Sequence, residues 1–346
     1  MKEIKKKVDL ALRQFASHFH AAPFSTLPAP YRRVIDGYLR RQGKRIRPVL
    51  FVLGYLGFAS KPAVNLYTSA VALELLHDFI LIHDDIIDHD AQRRGDPAMH
   101  VLLSRELKKA GVRRFTGTDL AMVIGDTIYT LAIDAFLSVQ GHPVRKQRAL
   151  EQLTQAALLT GCGELEELLY TLTPLARMNR NVIYRIYDRK TAHYSFAMPL
   201  AMGATLAGAP PHTVDRLFKF GICLGRAFQI KDDVLDFNSG SAHNAKPPFT
   251  DIREGKRTLP LWFAYRQCAP IERRFLDQVY HKAHNTPADI RKAGDIITRS
   301  GALVSARREI ARLSREADRR LNALPIRCEF RENLLAFKDH VLGPLH

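Results

Sequence analysis

Residues 76–95 read LHDFILIHDDIIDHDAQRRG, and their spacing decides the fold class. Phe79, Ile80, Leu81, Ile82, Ile86 and Ile87 surround three carboxylates, Asp84, Asp85 and Asp88. The periodicity predicts a helix, on which Asp84 and Asp88 are i and i+4 and share a face. His77 lies two turns earlier on that face. Charge in an apolar setting is costly unless it is paired. Hard oxygen donors that tolerate waters suit magnesium carried with a phosphate-bearing substrate. Arg93 and Arg94 follow at once and suit the phosphate. A solvated acidic helix face is the competing reading of this stretch taken alone.

A second copy decides between the two. Residues 228–236 read FQIKDDVLD, in which Asp232, Asp233 and Asp236 repeat the D-D-x-x-D spacing and Gln229 stands one turn before Asp232. The copies are too far apart for a short tandem repeat. Two facing helices carrying these groups would make a mouth of six carboxylates, and so many anions at one place require several divalent cations.

The remaining sequence predicts helices throughout. The expected spans are 2–19, 31–41, 48–59, 63–90, 98–107 and one running to about 138 from a cap at Thr118 or Asp119. Further helices are expected at 143–171, with a break near Gly161 and Gly163, and at 178–205 and 211–237. Helices resume at 258–268, 271–283, 286–298, 300–323 and 328–341. The helix ending near 138 is apolar nearly all round, which predicts burial, with Asp126 as a hydrogen-bonded core aspartate. Strand-like alternation is nowhere sustained. The expected class is all-α: a single domain over 1–346, with antiparallel helices around a central cavity. Within it, 1–30 form an N-terminal helix and connector, and 238–257 a mobile loop.

Composition sets further bounds. The 346 residues carry 52 Lys and Arg against 35 Asp and Glu, a net charge of +17. That excess attracts any polyanion. No base-reading motif accompanies it, so nucleic acid is not expected as a partner. Cys162, Cys223, Cys268 and Cys328 are far apart and read as reduced thiols of a cytoplasmic protein. The longest apolar run, Phe51 to Ala59, is far short of the ~20 residues a spanning helix needs. Membrane contact, if any, is expected to be peripheral.

The motifs resemble those of trans-isoprenyl diphosphate synthases of the polyprenyl synthetase family. That family carries two aspartate-rich pentads, here DDIID and DDVLD. It carries GKRxRP, here Gly43-Lys44-Arg45-Ile46-Arg47-Pro48, and a KT pair, here Lys190-Thr191. After the second pentad comes a pattern like GK…D…GKxTLP, here Ala245-Lys246, Asp251, Gly255-Lys256 and Thr258-Leu259-Pro260. The likeness runs from about residue 30 to the end of the chain.

The resemblance implies the isoprenoid synthase fold and a head-to-tail condensation. An allylic diphosphate ionises, isopentenyl diphosphate attacks the cation, and a proton is lost. The cofactor implied is magnesium, three ions per site, with manganese able to substitute. Asp84, Asp88 and Asp232 are the expected direct ligands, with Asp85, Asp233 and Asp236 as ligands or water-mediated partners. By family position Arg93, Lys190, Lys246 and Lys256 grip the allylic diphosphate, and Lys44, Arg47, His77 and Arg94 grip isopentenyl diphosphate. Thr191, Tyr194 and Gln229 turn oxygens towards the cation. A homodimer is the family expectation. Two departures stand out: Glu164 and Glu167 replace the Gln and Asp of a Gly-Gln-x-x-Asp pattern, and Ala245 replaces a glycine.

Phe79 and Ile80, five and four residues before Asp84, fall one turn deeper along the substrate tail. A bulky residue there would form a floor, and the resemblance implies that an aromatic at this place goes with short products, here fifteen to twenty carbons with twenty favoured; ordinary core packing is the competing reading of Phe79. The competing readings are a synthase of longer chains, a non-catalytic partner subunit, a terpene cyclase and a basic helical scaffold. Complete pentads argue against the partner subunit, and GKRxRP argues against the cyclase.

Overall fold

In this computed structural model residues 1–17, 23–93, 95–237 and 248–343 are described. The helices in chain order are α1 (Lys2–Ala16), α2 (Ala29–Leu39), α3 (Ile46–Leu56), α4 (Leu66–Ile87), α5 (Met99–Lys109), α6 (Gly117–Leu137) and α7 (Pro143–Tyr170). They continue as α8 (Arg180–Tyr187), a π-helical segment (Asp188–Ala197), α9 (Met198–Ala207), α10 (Pro211–Leu235), α11 (Thr250–Arg253) and α12 (Leu259–Gln267). The last four are α13 (Pro270–His281), α14 (Pro287–Arg299), α15 (Ala302–Asn322) and α16 (Cys328–Leu342). Strand among the described residues is confined to β1 (Gln92–Arg93) paired antiparallel with β2 (Asp96–Pro97). The all-α class holds.

Backbone contacts divide the chain into two compact units, Met1–Glu151 with Met202–Ala209 and Gln152–Ala201 with Pro210–His346.

The first unit is built around α4, which packs on α6, α3 and α1. From Leu66 to Leu76 its apolar side chains are buried nearly all round; from Asp78 onward the helix is mostly half-buried. Asp78, Asp84 and Asp88 stand in or next to this half-buried part, while Glu74 and His77 are buried within the packed part and Asp85 beyond it. Arg45, within the GKRIRP stretch, sits at a left-handed φ of 53°. It is held there by Asp9 (2.8 Å), Glu74 (2.5 Å) and the Arg41 carbonyl (2.6 Å), so this basic residue ties α1 to α4. Buried charge is retained because both ends are paired.

Helix α6 departs from expectation in three ways. Its cap is Thr116, in a capping box with Asp119, two residues before Thr118 and three before Asp119. It is not buried all round: Met122, Val123 and Leu137 are exposed, while Ala121, Gly125, Ile128 and Ala132 face the core. Asp126 is a surface residue, its side chain 74% exposed and 3.4 Å from His83, not a core aspartate. Counting apolar residues without resolving the face produced that error. Among the described residues α6 is the one helix long and apolar enough to cross a membrane by length and composition.

The second unit is built around α10, flanked by the π segment, α15, α12 and α16. Helix α7 runs unbroken through Gly161 and Gly163. Gly163 is a packing glycine: a Cβ there would lie 2.8 Å from the Lys190 backbone nitrogen. The cost of glycine in a helix, about 1 kcal/mol, is accepted for that approach. The expected helix 178–205 is split by the π segment, which carries Lys190 and Thr191. Wider turns of this kind occur frequently at functional sites.

A polar knot ties α8 to α15. Glu309 accepts from the Tyr184 hydroxyl and pairs with Arg180 (2.9 Å) and Arg312 (2.7 Å). Burial pushes the Glu309 carboxyl up, but bonds from Arg312 and Tyr184 and the Arg180 charge outweigh it and hold it at about 2, below its ordinary 4.5. A depressed carboxyl contributes stability above its unfolded pKa, and that share is lost as pH falls from 4.5 towards 2. Glu309→Gln should cost about 2 kcal/mol at neutral pH and remove that loss, as urea unfolding across the acid range would measure.

Candidate active site

Both aspartate pentads close a helix. Asp84 stands in the last turn of α4 and Asp88 is its C-cap; Asp232 and Asp236 occupy the same places on α10. The C-terminal end of a helix carries the negative pole of its dipole, so carboxylates there are disfavoured without a cation nearby. A cation near either helix end would relieve that burden.

In the first unit Arg93, on β1, supplies positive charge. Its Nη2 lies 2.8 Å from Asp84, its Nε 2.6 Å from Asp85, and its guanidinium reaches within 3.6 Å of Asp90. The β1–β2 hairpin positions it, turning the chain back just after α4. Asp85 is 1% exposed. Burial pushes its carboxyl up, Arg93 pulls it down, and the balance stands at about 6. Its Oδ2 is buried with no hydrogen-bond partner among the described residues. An orphaned buried oxygen beside other carboxylates, all hard donors, fits a divalent cation such as magnesium.

The other expected residues of this unit divide by exposure. His77 is buried, Arg47 half-buried and Lys44 exposed. Phe79 packs against His83 and Tyr129, with ring centroids 4.8 and 5.2 Å away. Ile80 is half-buried one residue on. Arg94 lies outside the described residues, as do Ala245 and Lys246 with the rest of 238–247.

In the second unit the KT pair meets the second pentad. Lys190 Nζ lies 2.6 Å from Glu167 and 2.7 Å from Glu164, so the two glutamates that depart from the family pattern hold this lysine. The Thr191 hydroxyl donates to Gln229 Oε1 (2.6 Å), and Gln229 Nε2 donates to Asp233 Oδ1 (2.9 Å). Tyr194 is buried. Asp232 is exposed and Asp233 buried. Asp236 accepts from the backbone N–H groups of Thr250 (3.0 Å) and Asp251 (3.2 Å), which ties α11 to the end of α10. Lys256 pairs with Glu254.

Burial pushes the Asp233 carboxyl up to about 7 despite bonds from Tyr187 and Gln229, with Asp232 adding to the rise. Asp251 is raised by burial and then by the charges of Asp233 and Asp236. Carboxylates forced up by one another's company are what a cation would relieve. Sequence reasoning missed Tyr187, which donates to Asp233, and Asp90, which faces Arg93. Neither carries a spacing signal; both act through contacts made on folding.

Known proteins bear on this arrangement. Residues 28–297 match the polyprenyl synthetase family. The geranylgeranyl diphosphate synthase of Methanosarcina mazei is 28% identical over 301 residues, covering 87% of this chain and 86% of its own. The geranylfarnesyl diphosphate synthase of Natronomonas pharaonis is 30% identical over 298 residues, covering 82% and 81%. Among solved structures, the geranylgeranyl pyrophosphate synthase of Corynebacterium glutamicum, complexed with isoprenyl diphosphate and magnesium, superposes with a TM-score of 0.90. It is 25% identical and covers 99% of this chain and 98% of its own. With paired pentads, KT and GKRxRP all in place, the chain belongs to the polyprenyl synthetase family.

Proposed function

We propose a short-chain product, of fifteen to twenty carbons with twenty favoured, for what is a prenyltransferase. It joins isopentenyl diphosphate head to tail to an allylic diphosphate and releases diphosphate. The C–O bond of the allylic partner breaks, leaving an allylic cation. The isopentenyl double bond attacks it, and the departed diphosphate takes the proton then lost. Magnesium, when bound, supplies positive charge for the departing diphosphate. Three ions per site, with manganese as a substitute, complete this reading.

The chain's own residues divide the work. Asp84, Asp88 and Asp232 would hold the metal directly, with Asp85, Asp233 and Asp236 as ligands or water-mediated partners. Arg93, Lys190, Lys246 and Lys256 grip the allylic diphosphate; Lys44, Arg47, His77 and Arg94 grip isopentenyl diphosphate. Thr191, Tyr194 and Gln229 offer oxygens to the cation, and apolar side chains exclude water from it. The observation that carries the reading is the matched pair of pentads, each closing a helix at its negative end with basic residues close by in the sequence. The test is incubation with isopentenyl diphosphate, magnesium and each allylic diphosphate in turn, reading product length. Products of twenty-five carbons or more would favour the longer-chain reading, which the geranylfarnesyl relative supports. No product with any starter would favour the non-catalytic subunit.

Phe79, packed edge-on against His83 and tilted against Tyr129, serves as the floor for the growing tail. Phe79→Ala should lengthen the main product by at least one five-carbon unit, read by chromatography of the dephosphorylated alcohols. Unchanged length rejects the floor.

The working form is a cytoplasmic homodimer in which both units of each chain act as one catalytic domain. Leu158, Leu165, Leu169 and Leu172 form an exposed stripe on and just after α7, with Leu172 78% exposed. An apolar stripe of that extent favours a second copy over water. Sedimentation should return about twice the 39.2 kDa chain mass. Leu165→Glu with Leu169→Glu should return the monomer.

A further inference from the structure

We propose that Tyr187 is a positioning residue for the transferase reaction, and that Asp233, when ionised, is the acceptor at the centre of a hydrogen-bond chain and not a direct metal ligand. This rests on the transferase reading above.

Tyr187 ends α8 immediately before the π segment and is 4% exposed. Its hydroxyl accepts from the backbone N–H of Leu259 (2.8 Å) and donates to Asp233 Oδ2. Asp233 Oδ1 accepts from Gln229 Nε2 (2.9 Å), and Gln229 Oε1 accepts from Thr191 Oγ1 (2.6 Å). With Asp233 ionised, donor and acceptor counting leaves one direction for every proton. A backbone N–H can only donate, so the tyrosine spends a lone pair on Leu259 and its single proton goes to Asp233. The carboxylate only accepts, so the Gln229 amide must turn its nitrogen to Asp233 and its oxygen to Thr191. Thr191 gives its proton to that oxygen. What its hydroxyl can then offer a substrate is lone pairs, the polarity an allylic cation needs.

Two consequences follow for this reaction. Asp233 has both oxygens engaged and is 4% exposed, while its neighbour Asp232 is exposed. The D-D-x-x-D spacing therefore combines two different jobs in adjacent carboxylates, one facing outward and one anchoring inward. The chain of bonds also starts at a main-chain group, the first residue of α12, which follows the Thr258 of the TLP stretch. Thr191 is thus oriented through Tyr187 by backbone and not by a swinging side chain. Removing the tyrosine hydroxyl would leave Asp233 Oδ2 buried without its donor, free Gln229 to reorient and unlock Thr191.

The test compares Tyr187→Phe, Asp232→Asn and Thr191→Val with the unaltered chain. Magnesium with inorganic diphosphate serves as the probe, read as a thermal shift, beside kcat, KM and the fraction of cation captured by water as allylic alcohol. Tyr187→Phe should keep the probe's thermal shift and the KM values within about threefold, while kcat falls about 10- to 100-fold and the alcohol fraction rises. Asp232→Asn should abolish the thermal shift. Thr191→Val, at the far end of the chain and less exposed to misfolding, should reproduce the kcat loss, and Thr191→Ser should restore it. The proposal is overturned if Tyr187→Phe loses the thermal shift as Asp232→Asn does, for Asp233 would then bind metal. It is equally overturned if kcat is unchanged in Tyr187→Phe or Thr191→Val. An unaltered chain that binds the probe but forms no prenyl product overturns the transferase reading itself, and this proposal with it.

Discussion

Asp84→Ala should lower kcat about 10³-fold, equivalent to about 4 kcal/mol of transition-state stabilisation. The residue is shared by two demands. Its carboxylate faces Arg93 at 2.8 Å and stands at the negative end of α4. On the proposed reading, a substitution removes a hard donor at the point where leaving-group charge must be neutralised, an interaction worth most in the transition state. The fold should tolerate the change, because Arg93 still has Asp85 and Asp90. Steady-state turnover with magnesium checks the first part, and an unchanged circular dichroism melt the second. A loss under tenfold would mean that the first pentad does not hold the metal.

Gly225→Val should destabilise the chain by about 3 kcal/mol and lower kcat by about 10²-fold. Helix α10 passes the π segment at a backbone-to-backbone distance that admits no side chain. A Cβ on Gly225 would lie 2.4 Å from the Ala192 Cα, and one on Gly221 would lie 2.4 Å from the Ala197 Cα. The neighbour is main chain, so relief means moving the segment that holds Lys190 and Thr191. Stability and turnover should therefore fall together, measured as melting temperature and kcat. Gly37→Ala is the matched control. It sits inside α2 with nothing within 4 Å of its Cβ position, and should leave turnover alone while raising stability by up to about 1 kcal/mol.

The amino-acid sequence alone determined the class and the chemistry. Apolar spacing at the helical period marked every long helix, because burying one face is a local demand that each segment answers by itself. The paired pentads pointed to metal with a phosphate-bearing substrate, because that chemistry needs carboxylates at short spacing, and with the KT and GKRxRP stretches they carried the family resemblance that implied the reaction. Only the tertiary structure decided which groups work together. It made Asp126 a surface residue, left α7 whole at Gly163, wound 188–197 into a π segment, and set Tyr187 against Asp233. Each depends on what a neighbouring element leaves room for or must pair with. Packing distance and hydrogen-bond satisfaction are properties of pairs of segments, so no reading of one segment contains them.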